Sequence, residues 1–118
     1  MFMIININNN SFKVKSVFTE KDVQTGMMGR KFNSTFNGML FLMDKGTHCF
    51  WMKNCIIPLD IIFIKSDKIS KIHHNCKPCM DSECENYCGN SDLVLELEGG
   101  TCKDLGIKEG DTLYFNLH

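Results

Sequence analysis

The chain has no alanine, two prolines, one tryptophan, and a single arginine (Arg30) against twelve lysines. It also lacks long apolar runs. Blocks such as Ile61-Ile62-Phe63-Ile64 fall far short of the roughly 20 residues a membrane-spanning helix needs, so no membrane role is expected. The N-terminal Met1-Phe2-Met3-Ile4-Ile5-Asn6 has neither the basic flank nor the extended apolar region of a signal peptide, which predicts a cytoplasmic protein. No nucleophile–base pair, phosphate loop or other catalytic signature is present, so the sequence names no reaction and no cofactor. The missing alanine and lone arginine fit an AT-rich coding genome, such as that of a phage or a marine bacterium.

What is present describes one domain over residues 1–118, large enough to hold a core without obligatory staples. Hydrophobic residues make up 43% and charged residues 23%, the balance of an ordinary globular protein. The formal charge is −1. Residues 61–118 are the acidic half, with Asp92, Glu96, Glu98, Asp104, Glu109 and Asp111 among their carboxylates. Such a surface repels phosphate backbones, and no nucleic-acid partner is expected.

Ile4, Ile5 and Ile7, then Phe12, Val14 and Val17, flank Asn8-Asn9-Asn10-Ser11 and predict a β-hairpin. Thr19 is a candidate N-cap, with Glu20 and Asp22 in the first turn of a helix over 20–29 that packs through Val23 and Met27. Short Ile-, Phe- and Val-rich runs predict strands at 39–43, 48–53, 60–65, 68–73, 92–97 and 112–116. Asp44-Lys45-Gly46 and Ser66-Asp67-Lys68 read as hairpin turns, and Thr101 to Leu105 as one helical turn. The expected fold class is α+β, mainly β: a small antiparallel, barrel-like sheet with one principal helix. Closure follows from the cost of open strand edges. The connections look too short for parallel crossovers.

The block from Phe50 to Asp60, Phe50-Trp51-Met52-Lys53-Asn54-Cys55-Ile56-Ile57-Pro58-Leu59-Asp60, sets a Trp, a Lys, an Asn and an Asp among apolar neighbours. One reading is structural: the Phe/Met side is core, while Asn54 and Asp60 satisfy backbone groups near the Pro58 bend. The other is a groove in which Trp51 is a flat platform and Arg30, Lys53, Asn54, Asp60 and Glu96 supply polar contacts to a small polar ligand. Arg30 is expected to form a bidentate pair with Asp60 or Glu96, which a lysine cannot copy.

These residues resemble the domain of unknown function 192 family, also called the UPF-0127 proteins. The resemblance rests on Thr19-Glu20, Gly26-Met27-Met28-Gly29-Arg30, Gly38-Met39-Leu40-Phe41, the Phe50–Asp60 block, Tyr87, Val94-Leu95-Glu96 and Gly110-Asp111, in that order. Cys55 departs from it, standing where the family pattern has Thr. Many relatives are exported, another departure given the absent leader. The family carries no established activity, so the resemblance implies a fold rather than a reaction.

Residues 73–88 bring together His73, His74, Cys76, Cys79, Cys84 and Cys88. Cys76-x-x-Cys79 matches a zinc knuckle, but Cys79 and Cys84 stand too close for a second one. Disulfides, zinc at Cys76, Cys79, Cys84 and Cys88, and free thiols all remain open, and a reducing cytosol opposes the first. The family resemblance implies a P-C-x(4)-C-x-x-Y pattern on Pro78-Cys79, Cys84 and Tyr87. That pattern predicts a Cys79–Cys84 bond with Cys76–Cys88 nested outside it. Cys49, Cys55 and Cys102 are expected to pack as small hydrophobes.

The expected function is a binding or accessory module for an unknown small polar ligand or protein. One alternative is carbohydrate chemistry using Asp60 and Glu96, which would have to face each other across roughly 5–10 Å. The other is a metal- or thiol-dependent module centred on residues 73–88.

Overall fold

The computed structural model describes residues 1–116. The elements are β1 (Phe2–Ile7), β2 (Asn10–Val17), α1 (Glu20–Thr25), β3 (Gly38–Phe50), β4 (Leu59–Lys65), β5 (Lys68–Cys76), β6 (Tyr87–Glu98), α2 (Thr101–Leu105) and β7 (Leu113–Phe115). All seven strands join one sheet in the order β5-β4-β6-β3-β2-β1-β7. The sheet curls until its outer strands touch. Lys68 bridges Thr112, the Leu113 N–H reaches the Asp67 carbonyl at 2.8 Å, and the Ile69 N–H reaches the Asp111 carbonyl at 2.9 Å. The expected mainly β, barrel-like architecture is the one observed.

Local chemistry accounts for the two tight hairpins. Asn8 and Asn9 both have positive φ (51° and 63°), the backbone of a two-residue turn whose twist matches its flanking strands. Ser66 and Asp67 (52° and 66°) repeat this between β4 and β5. The Thr19 hydroxyl accepts the Asp22 N–H at 3.1 Å and starts α1. Gly26, at φ 45°, ends α1 after six residues, sooner than the expected 29. Val23 and Met27 do pack on the sheet, as expected.

Four expectations need correction. The pairing is not wholly antiparallel: β2 and β3 run parallel, because residues 18–37, α1 included, are long enough for a crossover. Asp44-Lys45-Gly46 is not a hairpin turn. β3 runs through it as one strand, and the extra residues form a bulge against β6 between Leu42 and Gly46. The expected strand at 48–53 stops at Phe50, and β6 begins at Tyr87, earlier than the expected 92.

The curl gives the sheet two buried faces. Inside it lie Ile5, Ile7, Phe12, Val14, Leu40, Ile62, Ile64, Leu95, Leu97, Cys102 and Leu113. On the outer face Met39, Phe41, Leu59, Ile61, Phe63 and Val94 are covered by Met27, Phe36, Met52 and Cys55 from the loops. β4 lies between β5 and β6 with both faces covered, so residues 59–64 are all buried. That is why Ile61–Ile64 reads as unbroken apolar sequence.

Edge-to-face ring contacts run across the outer face from Phe41 to Phe50 (5.0 Å), Phe63 (6.0 Å), His73 (5.8 Å) and Tyr87 (5.3 Å). Phe63 fits only because position 89 is glycine: a Cβ there would stand 2.4 Å from its ring. Gly89→Ala should therefore destabilise the protein by about 2 kcal/mol through overpacking, read as a lower urea midpoint, and Phe63→Leu in the same chain should recover part of the loss. An unchanged midpoint in Gly89→Ala would contradict the close packing.

Candidate functional site

The Phe50–Asp60 block is a turn followed by a strand rather than one continuous strand. Met52 is buried, and the Cys55 N–H returns to the Met52 carbonyl at 3.2 Å. Asn54 takes a left-handed backbone at φ 60°, a conformation Asn tolerates better than most residues. Its carbonyl accepts the Gly29 N–H at 2.9 Å, and its own N–H reaches the Cys79 carbonyl at 3.0 Å. Lys53 Nζ donates to the Asp81 carbonyl. Lys53 and Asn54 therefore tie the Gly26–Arg30 turn and the 79–84 loop to this segment, and neither lines the cavity described below.

Asp60 is wholly buried and oriented toward the inner face. One carboxylate oxygen accepts the Asn75 N–H (2.8 Å) and the Gly100 N–H (3.1 Å); the other accepts the Cys102 N–H (2.8 Å). Gly100 supplies no side chain to cap α2, so Asp60 caps it from across the sheet. Such charge-assisted bonds stabilise the buried carboxylate. The structural reading of Asp60 is the one its geometry supports.

Glu96 sits one strand away and faces the opposite side. It pairs with Ile61 and Met39, both in the outer core, whereas Asp60 pairs with Leu97 of the inner core. The two carboxylates therefore lie on opposite faces of the sheet and do not form the facing pair that glycoside chemistry requires. Arg30 is exposed and pairs with neither of them. The expected bidentate pair is not formed, because Asp60 is already satisfied by backbone N–H groups and Glu96 lies beneath the loops.

Where Trp51 and Glu96 do come together is a cavity of about 260 Å³ between α1 and the outer face of the sheet. Its walls include Val23, Met27, Met28, Phe41, Phe50 and Cys55, with Trp51 half-exposed at its edge and Glu96 within. Glu96 is 3% exposed. Burial pushes its carboxyl up to about 8, with no charge or hydrogen bond among the described residues to oppose the shift. Burial, followed by the Glu96 charge, raises the neighbouring Cys55 thiol to about 12, so it stays protonated and is a poor nucleophile. The candidate groove is thus split. Trp51 and Glu96 share the cavity, while Arg30, Lys53, Asn54 and Asp60 lie elsewhere.

The cysteines pair in a way only half anticipated. Cys79 and Cys84 form a disulfide with Cα atoms 6.0 Å apart, as expected. Cys88 bonds to Cys49 instead of Cys76, because those two residues face each other directly in the β3–β6 register. Cys76 is a buried free thiol, like Cys55 and Cys102. With Cys79, Cys84 and Cys88 in disulfides, the four sulfurs of the zinc alternative do not converge, and no metal-binding group of His, Cys, Asp or Glu occurs among the described residues.

Sequence reasoning missed the cavity walls supplied by Val23, Met43, His48 and Cys49. A usable signal was Val94-Leu95-Glu96-Leu97, where a lone acid interrupts a strand apolar on both faces.

The fold defines a small, mainly β domain made of one curled sheet with a loop-covered outer face. The chain belongs to the DUF192 family, described as "Uncharacterized ACR", whose model matches residues 3–115. Two solved structures are similar. A protein of unknown function from Novosphingobium aromaticivorans superposes with a TM-score of 0.83 at 31% identity, over 95% of this chain and 84% of that one. A Sinorhizobium meliloti protein named "a putative transcription regulator" gives 0.84 at 29% identity, over 98% and 94%. No curated protein sequence matches the chain. No helix among the described residues is long and apolar enough to cross a membrane.

Asp60→Ala removes the acceptors of three N–H groups, one buried and two part-buried, and should cost about 2–3 kcal/mol, with Asp60→Asn between it and the parent because one accepting oxygen remains. Equal urea midpoints for all three proteins would refute the capping role. For Glu96 the folded carboxyl titrates near 8, above its ordinary value of 4.5. Between those pH values the folded state holds the proton that the unfolded state has lost. Stability contributed by this site therefore falls as pH rises, by up to about 1.4 kcal/mol per pH unit. Glu96→Gln should remove that slope, so the variant gains on the parent from pH 5 to pH 8 in thermal melts. A parent-minus-variant difference that stays flat with pH would count against a buried, unpaired acid.

Proposed function

We propose that the domain is a small-molecule binding module whose site is the cavity between α1 and the sheet. The observation that carries this reading is convergence. Met27 and Met28 of the Gly26–Arg30 element, Trp51 and Cys55 of the Phe50–Asp60 block, and Glu96 of Val94-Leu95-Glu96 all line one concavity. These segments lie far apart in sequence, yet they contribute walls to the same space. Its volume is below the roughly 300–1,000 Å³ of drug-sized sites, so the ligand is small. Its lining is mostly apolar, so a ligand with an apolar body fits better than the polar ligand the sequence suggested.

A catalytic role has less support, because Asp60 serves the backbone and the Cys55 thiol is held protonated. The name of the Sinorhizobium meliloti protein is not carried over: a net charge of −1 with an acidic second half offers phosphate backbones little attraction. The two disulfides favour an oxidising compartment over the cytoplasm expected from the N-terminus.

The test is methionine-methyl NMR with a panel of small apolar compounds such as toluene, indole and 2-phenylethanol. Saturable shifts at Met27, Met28 and Met43, which line the cavity, are expected, with Met3, packed against the inner core, as the control. Shifts confined to Met3, or none with any compound, would overturn the reading.

A further inference from the structure

Glu96 is a largely buried acid that forms no hydrogen bond with the described residues, and unlike Ser91 Oγ, which is enclosed without a partner, it keeps access to the cavity space. Its carboxyl lines the cavity, it is 3% exposed, and no protein donor or cation among the described residues reaches it. The rest of the lining is mostly apolar and aromatic, with Phe41, Phe50 and Trp51 in the walls, and adds the polar side chains of Gln24, Thr25 and His48. His48 and Cys55 are the other titratable groups lining the space. The His48 Nε2 is engaged with the Asp44 carbonyl, and Cys55 raises no positive charge. A carboxyl taken out of water and left unpaired is costly, and the missing partner defines what a ligand must bring. Aromatic faces attract cations and so favour the same kind of ligand.

We propose that the cavity recognises a small primary ammonium compound with an apolar body, its N–H groups donating to Glu96 and its body packed against the methionine and aromatic walls. This rests on the cavity being a binding site and adds the class of its ligand. An ammonium supplies several charged donors to one carboxylate, whereas a hydroxyl supplies one neutral donor. An organic anion meets repulsion from the carboxylate and, in the protonated state, can accept only its single O–H. The proton balance is explicit. In the empty site the carboxyl holds its proton near neutral pH, because burial raises it to about 8. When the ammonium binds, that proton passes to solvent, and a carboxylate–ammonium pair remains.

Three probes of similar shape test this on the intact protein: 2-phenylethylamine, 2-phenylethanol and phenylacetate. At neutral pH the amine should bind at least about tenfold more tightly than the alcohol, as a desolvated charge-assisted bond implies, and phenylacetate more weakly than either. Calorimetry in buffers of different ionisation enthalpy should show proton release with the amine and none with the alcohol. Glu96→Gln should bring amine and alcohol within about threefold of each other by removing the charge while keeping the shape. The probe comparison and the proton release use the parent protein, so they stand even if the variant fails to fold. If the alcohol binds as well as the amine, the ligand class is wrong while the binding site survives; amine binding that is tighter but releases no proton would instead show Glu96 already ionised in the empty site. If no probe binds, the ligand class is overturned; if toluene and indole also leave the methionine methyls unmoved, so is the binding site.

Discussion

A single carboxylate holds three parts of the chain in register. Asp60 accepts N–H groups from the end of β5, from the turn after β6 and from the first turn of α2. Each of these leaves its strand or begins its helix at that point, so each would otherwise lack a protein acceptor, the Cys102 N–H in a fully buried setting and the other two in part-buried ones. The Pro58 bend brings the aspartate there, and the Gly99 N–H bonds the Pro58 carbonyl at 3.0 Å. The approach is close enough that a Cβ at Gly99 would lie 2.5 Å from Asn75 Oδ1. The Pro58-Leu59-Asp60 tripeptide is thus an internal connector: it anchors α2, which places Cys102 in the inner core.

The sheet's two faces divide the labour. The inner face is sealed by the curl itself and filled with aliphatic side chains. The outer face has no second sheet to cover it and is roofed by loops and one short helix, which fit less completely and leave the cavity. Two links fix that roof: the bridge from Met28 to Cys55 and the pairing of residues 52–54 with the disulfide-closed loop 79–84. A carboxyl retained in such a space lowers stability unless something pairs with it, the pattern expected where binding and stability pull in opposite directions.

Features governed by near neighbours were legible in the sequence. The Asn8-Asn9 and Ser66-Asp67 turns, the Thr19 cap and the Cys79–Cys84 bond, which the family resemblance implied, all join residues a few positions apart. Features that depend on register were not. Asp44-Lys45-Gly46 has the same composition whether it reverses the chain or bulges within a strand, and only the partner strand decides. Cys88 was expected to bond Cys76, and the alignment of β3 with β6 selected Cys49, a residue expected only to pack as a small hydrophobe. Arg30 shows the limit of arguing from scarcity: a lone arginine among lysines says nothing about whether a carboxylate lies within reach. Trp51 and Glu96 were placed in one groove, but the wall that α1 adds to it required the parallel β2–β3 crossover that puts the helix above the sheet.

The placement of β7 sets an order of events during synthesis. This three-residue strand pairs with β1 at Ile5–Ile7 and meets β5 across the closing bridge, so a strand made after β6 completes a sheet that β1 entered more than a hundred residues earlier. Until it leaves the ribosome, the inner core lacks Leu113, and the rim that β7 fills stays open. Both disulfides lie wholly within earlier sequence, at 49–88 and 79–84, so the outer face can be stapled while the inner one still waits. A nascent chain paused short of residue 113 would then be cross-linked but unclosed, with free edges on β1 and β5 exposed to neighbouring chains.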